Sequence, residues 1–411
     1  MNFELFVTKR LIAAKKYKNS ISAPIIKIGI LSIAIGIIVM LIAIATGVGL
    51  QKKIRDKVSG FNGHIQVINF DTNQSLVSLV PLSKNQDFVY KVKKLDQFSH
   101  IQTFAKKAGI IKTASDFEGV IVKGVGNDYQ WNFLKEYLIV GELPQYDKEI
   151  SNEILISKTI ANRLQLKIGQ NTIVWFVREE ENKPPQIRNF KIKGIYNTGF
   201  PEFDNSFVIA DIRHIQKLNK WKADEVGGFE IFIKNFDKVK EVGNEVYKML
   251  PTHLNSTTIV EEFPLIFEWI ALFDTNIITI IILMILIAGF NMITALLVLI
   301  MEQTRMIGIL KSMGTTNWQI RKIFLYQATY LVIRGLFWGN LIGLGLLFAQ
   351  KYLGIITLNP ETYYVDKAPV YISLGYILIL NLGVVFLSYL MLLIPSYYIS
   401  RITPVKAIRF E

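Results

Sequence analysis

The sequence predicts a membrane protein of four α-helical spans, with a large α+β domain inserted between the first and second spans. Two observations carry that fold class. Residues Ile25 to Leu50 form an apolar run whose single charge, Lys27, sits at its start; a bilayer core needs about 20 helical residues to cross. Three more apolar runs, from about Ile270 to Met301, Leu331 to Gln350 and Ile372 to Ile394, crowd the C-terminal third of the 411-residue chain. The expected organisation is a basic amphipathic arm at 1–24, a first span at 25–50, an α+β domain at 51–268, and a three-span region at 269–411.

Orientation follows from the flanking cations, because Lys and Arg in short loops stay on the cytoplasmic face. Lys9, Arg10, Lys15, Lys16 and Lys18 precede the first span; Arg305, Lys311, Arg321 and Lys322 lie between the second and third; Arg401, Lys406 and Arg409 follow the fourth. The remaining loop has only Lys351 and Lys367, offset by Glu361 and Asp366. Both termini are therefore expected in the cytoplasm and the α+β domain outside. A cleaved secretory signal is the competing reading of the first segment, but its apolar run is too long and no small-residue cleavage site follows.

The formal net charge of +13 invites a nucleic-acid reading. Much of that excess flanks spans, where the topology rule accounts for it, and no basic stretch interleaved with aromatics calls for a nucleic acid. Zero cysteines exclude disulfides, thiolate catalysis and cysteine metal sites.

Between Gln51 and Trp269 the pattern turns to alternation. His64 to Ile68 and Phe229 to Ile233 read as half-buried strands. Asn152 to Ser157 reads as a strand leading into a helix from Lys158 to Leu166 that ends before Gly169. From Glu179 to Asn189 the chain carries consecutive glutamates, Lys183 and the pair Pro184-Pro185 between β-like sequences. Proline cannot pair within a central strand, so this is a protruding hairpin or long loop.

No phosphate-binding loop, dinucleotide fingerprint, zinc-protease helix or nucleophile elbow occurs. His64, His100, His214 and His253 lack metal-ligand spacing and read as surface or strand histidines. The expectation is a non-catalytic chain that binds no cofactor itself.

One loop segment stands out. From Met301 to Gly314, apolar Met306, Ile309, Leu310 and Met313 recur at helical spacing, and Gly314 suits the left-handed residue that ends a helix. Thr315 or Thr316 can cap the next helix, which carries Trp318, Ile320, Ile323 and Phe324. It is either an interfacial amphipathic helix or a short helix that docks in a soluble partner. Within the third span, Gly335, Gly339 and Gly343 recur every four residues, a face for close helix packing. Arg334 beside them can snorkel to the interface.

The run from Glu302 to Gly314, Gln327 in the following helix, the tail Pro395-x8-Pro404-Val405-Lys406-Ala407-Ile408-Arg409 and the four-span order resemble the FtsX-like, MacB-type permeases of type VII ABC transporters. The resemblance covers the whole chain. Gly47-Val48-Gly49-Leu50-Gln51, Gly63 to Val67 and Tyr363 to Val370 are most similar to the lipoprotein-releasing LolC/LolE permeases.

That resemblance implies a multi-pass subunit of the cell inner membrane with a periplasmic domain. Its implied partners are a cytoplasmic ABC ATPase dimer, which carries ATP and Mg, and a second permease subunit, identical or related. The coupling helix would be 303–314, with Arg305, Gly308, Lys311, Gly314 and Trp318 meeting the ATPase. Related chains usually have an acidic residue after the arginine, where this chain has Met306. The implied substrate is a lipoprotein. A hook at Glu179 to Phe190, with Pro184, Pro185, Gln186, Arg188 and Phe190, would recruit a soluble periplasmic carrier, though a variable surface hairpin is the plainer reading. Met40, Ile44, Phe273 and Ile277 can line a lateral cavity for membrane lipid and acyl chains or simply face lipid. The alternative role is a mechanotransmission subunit of the MacB or FtsX kind, serving an efflux conduit or a cell-wall hydrolase; a membrane-tethered receptor would leave the coupling segment unexplained.

Overall fold

The computed structural model describes residues 3–13, 22–72, 75–147, 149–176, 178 and 184–397. The tail motif beyond Tyr397, the cations at 15, 16 and 18, and residues 179–183 of the expected hook lie outside the described residues. The chain divides into a helical unit (Met1–Gln51, Trp269–Thr357, Lys367–Glu411) and an inserted domain (Lys52–Glu268 with Leu358–Asp366).

Among the described residues four helices are long and apolar enough to cross a membrane: the first in Ser22–Asn62, the second in Pro264–Glu302, the third in Asn317–Leu353 and the fourth in Leu374–Tyr397. The first three run well past their apolar stretches, because polar ends remain helical while their backbone bonds stay within the segment. Gly335, Gly339 and Gly343 form the face of the third helix that meets the first. A Cβ on Gly339 would lie 2.7 Å from Ile37 Cβ and 3.0 Å from the Ala34 carbonyl oxygen, and one on Gly335 would lie 2.7 Å from Ile33 Cβ. Only glycine permits that approach, which replaces side-chain interdigitation with direct backbone packing. Around it Ile33, Ile37, Met40, Leu41, Met292, Leu296, Phe324 and Leu347 are buried in one cluster.

Neutral polar groups join the same helices. Asn340 and Asn381 exchange reciprocal amide hydrogen bonds of 2.6 and 3.0 Å between the third and fourth helices. Asn291 donates to Ser32 Oγ at 2.6 Å, tying the second helix to the first. Arg334 is exposed and lies over the Tyr330 ring, 4.6 Å from its centroid. The arm's helix, Phe3–Ala13, packs with its polar side inward: Thr8 Oγ1 donates to the Ile323 carbonyl at 3.3 Å and Glu4 pairs with Lys322 at 3.8 Å. Phe3 and Phe6 are left exposed.

The inserted domain is built on a ten-stranded mixed sheet and a small two-stranded one. In chain order the strands are β1 (Ile65–Asn69), β2 (Leu82–Ser83), β3 (Phe98–Lys112), β4 (Phe117–Val125), β5 (Leu138–Gly141) and β6 (Glu153–Ser157). β7 (Asn171–Phe176), β8 (Gln186–Tyr196), β9 (Phe207–Asp211), β10 (Glu225–Val226), β11 (Gly228–Ile233) and β12 (Leu254–Thr258) complete the set. The large sheet runs β12-β1-β11-β3-β4-β9-β6-β8-β5, and β7 pairs with both β3 and β8. Hence β3, β4, β9, β6, β8 and β7 close on themselves, which removes free edges along that ring. Pairs β4–β9 and β6–β8 are parallel; the other pairs are antiparallel.

Alternation along each strand of the ring sends Ile111, Val120, Val122, Ile154, Ile156, Val174, Phe176, Phe190, Ile192, Val208 and Ala210 into one core. On the other side of β4 and β11, Lys123 and Glu230 form a fully buried ion pair of 2.7 Å. Gln102 donates to the same carboxylate at 2.8 Å, and Lys123 Nζ donates also to the Phe61 carbonyl. These extra bonds are what allow two charges to leave water.

Candidate functional site

The segment expected to couple to an ATPase is a helix, Thr304–Ser312, that begins directly after the second apolar helix. Gly314 ends it at φ +89°, with nothing within 4 Å of where a Cβ would stand. The amide of Thr315 reaches the Leu310 carbonyl (3.0 Å) and that of Gly314 the Lys311 carbonyl (3.1 Å), so a left-handed glycine closes the helix with paired terminal bonds. Thr316 then starts the third helix with a capping box: Gln319 N donates to its hydroxyl, and Gln319 Oε1 accepts from its amide. A stop and a start within a few residues fix the turn that aims this short helix.

Its two faces differ. Ile307 and Gly308 are buried, with Met306 and Leu310 packed beside them. The opposite side presents Arg305, Ile309 and Met313, followed by exposed Trp318; Met313 is 76% exposed. Gly308 therefore backs the helix against its own unit, whereas Arg305, Ile309, Met313 and Trp318 form the outward surface. Partial burial holds the Lys311 ammonium somewhat below the ordinary lysine value.

The hairpin is β7 and β8, paired from Asn171↔Lys191 to Phe176↔Gln186. Pro184 and Pro185 are exposed just before β8, while Gln186 and Arg188 are half-buried at its start. Phe190 is 1% exposed, packs edge-on against the His214 ring at 4.8 Å and belongs to the core, so the expectation that it contacts a carrier is corrected. The residues on the outer side of the strands are Ile187, Trp175 and Ile110, which lie directly opposite one another across β8, β7 and β3. Ile173, two residues along β7, adds to them on the same face. Ile110, Ile173 and Ile187 are exposed, and Lys112 Nζ lies 5.7 Å from the Trp175 ring centroid. Sequence reasoning passed over this apolar patch; its signal was apolar residues at alternate positions that the core side does not need.

The four expected cavity residues do not converge. Met40 is sealed in the helical core at 1% exposure, which corrects its reading as cavity lining. Ile44 borders a recess of about 10 Å³ with Leu344, Tyr371 and Tyr376, too small for an acyl chain. Ile277 abuts Gly47, whose Cβ would lie 2.6 Å from Ile277 Cδ1, and Phe273 stacks edge-on with Trp269.

Three of the four histidines are engaged locally: His64 Nδ1 accepts from Ile233 N at 2.9 Å, and the rings of His100 and His214 bond the carbonyls of Asp128 and Ser151, while His253 is exposed. Burial lowers the His64 pKa to about 4. Among the described residues no group of three His, Cys, Asp or Glu side chains is placed to hold a metal. A cavity of about 360 Å³ touches Gln66, Lys106, Thr257, Glu261 and Glu262, but Glu261 is engaged in capping Thr258 and burial holds the Glu262 carboxyl above its ordinary value.

Comparison with known proteins agrees with this architecture. Residues 28–246 match the model of the MacB-like periplasmic core domain, and residues 278–404 match that of the FtsX-like permease C-terminal region. The chain belongs to the FtsX-like, MacB-type permeases of ABC transporters. Its relatives include the lipoprotein-releasing system transmembrane protein LolC of Buchnera aphidicola subsp. Schizaphis graminum, 24% identical over 94% of each chain. LolC of Neisseria meningitidis serogroup B is 22% identical over 100% of both chains, and LolE of Haemophilus influenzae is 19% identical over 99% of both. As an ABC permease, the chain works beside an ATPase subunit and a second permease subunit.

Proposed function

We propose that this chain is the permease subunit of a type VII ABC transporter that releases lipoproteins from the outer leaflet of the inner membrane to a periplasmic carrier. The observation that carries the coupling half of this reading is the docking helix, whose outward side combines Arg305 with Ile309, Met313 and Trp318. An apolar surface rimmed by cations is what a soluble partner's cleft can bury. The substrate half is supported by relatives named for lipoprotein release across the chain's whole length. Exposing acyl chains to water costs about 0.8 kcal/mol per methylene, so a lipoprotein needs a covered route and a carrier. The exposed pair Pro184-Pro185 and the patch of Ile110, Trp175 and Ile187 supply a pre-stiffened surface for that carrier.

In this reading both termini and the docking helix are cytoplasmic and the inserted domain is periplasmic. Protease added outside spheroplasts should cut between Gln51 and Trp269 and leave Glu302 to Lys322 intact. The functional test is co-purification with Gly314→Val as the control variant. The wild-type chain should bring down an ATPase and an acylated peptide. The variant, strained at positive φ, should lose substrate-stimulated ATP hydrolysis while still assembling. An ATPase accompanied by a hydrolase or an outer-membrane channel, with no acylated peptide, would favour mechanotransmission, a reading that the MacB-like domain match supports.

A further inference from the structure

The stretch Leu358–Asp366 connects the third and fourth apolar helices, yet it groups with the inserted domain. Its flanks, Thr357 and Lys367, form an antiparallel bridge, and Leu358 N donates to the Asp366 carbonyl at 2.9 Å, so the stretch leaves and returns as one closed loop. Inside the domain it meets Lys57, near the end of the first helix. The Lys57 side chain is 3% exposed, and its ammonium donates to the carbonyl of Tyr364 at 2.7 Å and to the carbonyl of Thr198. Three segments far apart in sequence thus converge on one cation.

Each partner is itself held. Asp204 accepts from Thr198 N (3.1 Å), Thr198 Oγ1 (2.9 Å) and Gly199 N (2.8 Å), which fixes the loop after β8. Gly199 adopts φ +65°, and a Cβ there would stand 3.3 Å from Lys57 Nζ. Tyr364 takes the left-handed region at φ +59°, which a bulky residue occupies only when its surroundings compel it. Its ring stacks on that of Phe200 with centroids 4.5 Å apart. Asp366 and Asp204 supply the negative field around the buried ammonium, and the Tyr137 ring lies 5.0 Å from it. A lysine spent on two backbone carbonyls of separate loops fixes their relative position more than it holds up either one.

We infer that Lys57 is a positioning residue, a clasp that carries displacement of the third and fourth helices into the inserted domain through the Leu358–Asp366 loop. The inference rests on the reading of the chain as an ATP-driven permease. Residues 354–357 and 367–373 join the loop to those two helices and are tied together by the Thr357–Lys367 bridge, so motion that begins at the docking helix reaches Tyr364 along the chain. The clasp then delivers it to the first helix and to the loop after β8 without either having to touch nucleotide. It stays closed through the cycle, acting as a rigid link.

The test uses the full permease reconstituted with its ATPase and partner permease in proteoliposomes, with an acylated lipoprotein as probe. Lys57→Met keeps the side chain's bulk and removes its donors. Basal ATP hydrolysis should be unchanged, while lipoprotein-stimulated hydrolysis and release both fall roughly tenfold, the scale of a lost charge-assisted hydrogen bond. The chain has no cysteine, so Phe200→Cys with Tyr364→Cys can form a single reversible cross-link. Oxidised, that pair should restore release in the Lys57→Met background and leave it intact in the wild type; a purely stabilising lysine would instead show Lys57→Met lowering the melting temperature and basal hydrolysis together with release. Stimulation and release unchanged in Lys57→Met, or release blocked by the oxidised cross-link in the wild type, overturns the clasp while leaving the permease reading in place. A wild-type complex that shows no lipoprotein-dependent ATP hydrolysis overturns the permease reading and the clasp with it.

Discussion

The helical unit and the inserted domain bury polarity in opposite ways. Between the apolar helices the polar contacts among the described residues are single hydrogen bonds with no ion pair behind them: a neutral amide pair at Asn340 and Asn381, an amide to a hydroxyl at Asn291 and Ser32, and the Gln51 amide donating to Asp274 at 2.8 Å. Tightness there comes from Gly335, Gly339 and Gly343 against the first helix. The inserted domain instead encloses full charges, Lys123 and Glu230, above a large aliphatic core. The contrast follows from solvent. Lipid gives apolar helices no hydrophobic reason to associate, so they depend on close backbone approach and modest hydrogen bonds. A domain in water gains enough from core burial to carry an expensive ion pair, provided both members stay satisfied.

The largest effect is expected of Lys123→Met. It strands the Glu230 carboxylate and should cost about 3–5 kcal/mol in domain stability, read as a lowered melting temperature. Adding Glu230→Leu should recover much of that loss, since the pair itself is dispensable once neither charge is alone. Next comes acid. His64 is neutral in the fold, with its pKa lowered by burial to about 4. Its stabilisation is complete above the ordinary histidine value of about 6.5 and is lost as pH falls through 4, about 3 kcal/mol in all. Thermal unfolding of the domain followed between pH 7 and 4 should show this loss, and His64→Phe should flatten it.

In the helical unit, Gly339→Val should cost about 1–3 kcal/mol, because its branches would collide with Ile37 and with the Ala34 carbonyl. Detergent melting of the intact permease measures it. Asn340→Leu should be the mildest change, about 0.6 kcal/mol, the scale of one hydrogen bond between helices in lipid. A cost matching that of Lys123→Met would refute the contrast between the two units.

Legibility in the sequence divides along the same line. The apolar runs, the glycine spacing and Gly314 are one-dimensional signals, and the strands at 65–69 and 228–233 showed as alternation. Phe190 was misplaced because a strand's two faces exchange with a shift of one residue, and nothing in the stretch before Gln186 fixes where pairing begins. Lys123 and Glu230 lie on strands that are not sheet neighbours, and the closed ring depends on β7 pairing with β3 and β8 together. Neither leaves a local trace. The outward patch of Ile110, Trp175 and Ile187 was hidden for the same reason, since its members adjoin only through that pairing. Met40 looked available for lipid contact because an apolar run does not say which of its sides meets protein.

Lipoprotein release is read by transfer of an acylated lipoprotein from proteoliposomes containing this permease, its partner permease and their ATPase to a soluble periplasmic carrier. Release should require ATP. It should fall sharply when residues 183–188 are replaced by a Gly/Ser linker, with basal ATP hydrolysis preserved because Pro184 and Pro185 are exposed outside the sheet core. Photocrosslinkers at Gln186 and Ile187 should capture the carrier in the same preparation. Robust ATP hydrolysis with no ATP-dependent lipoprotein release and no carrier adduct would contradict the account.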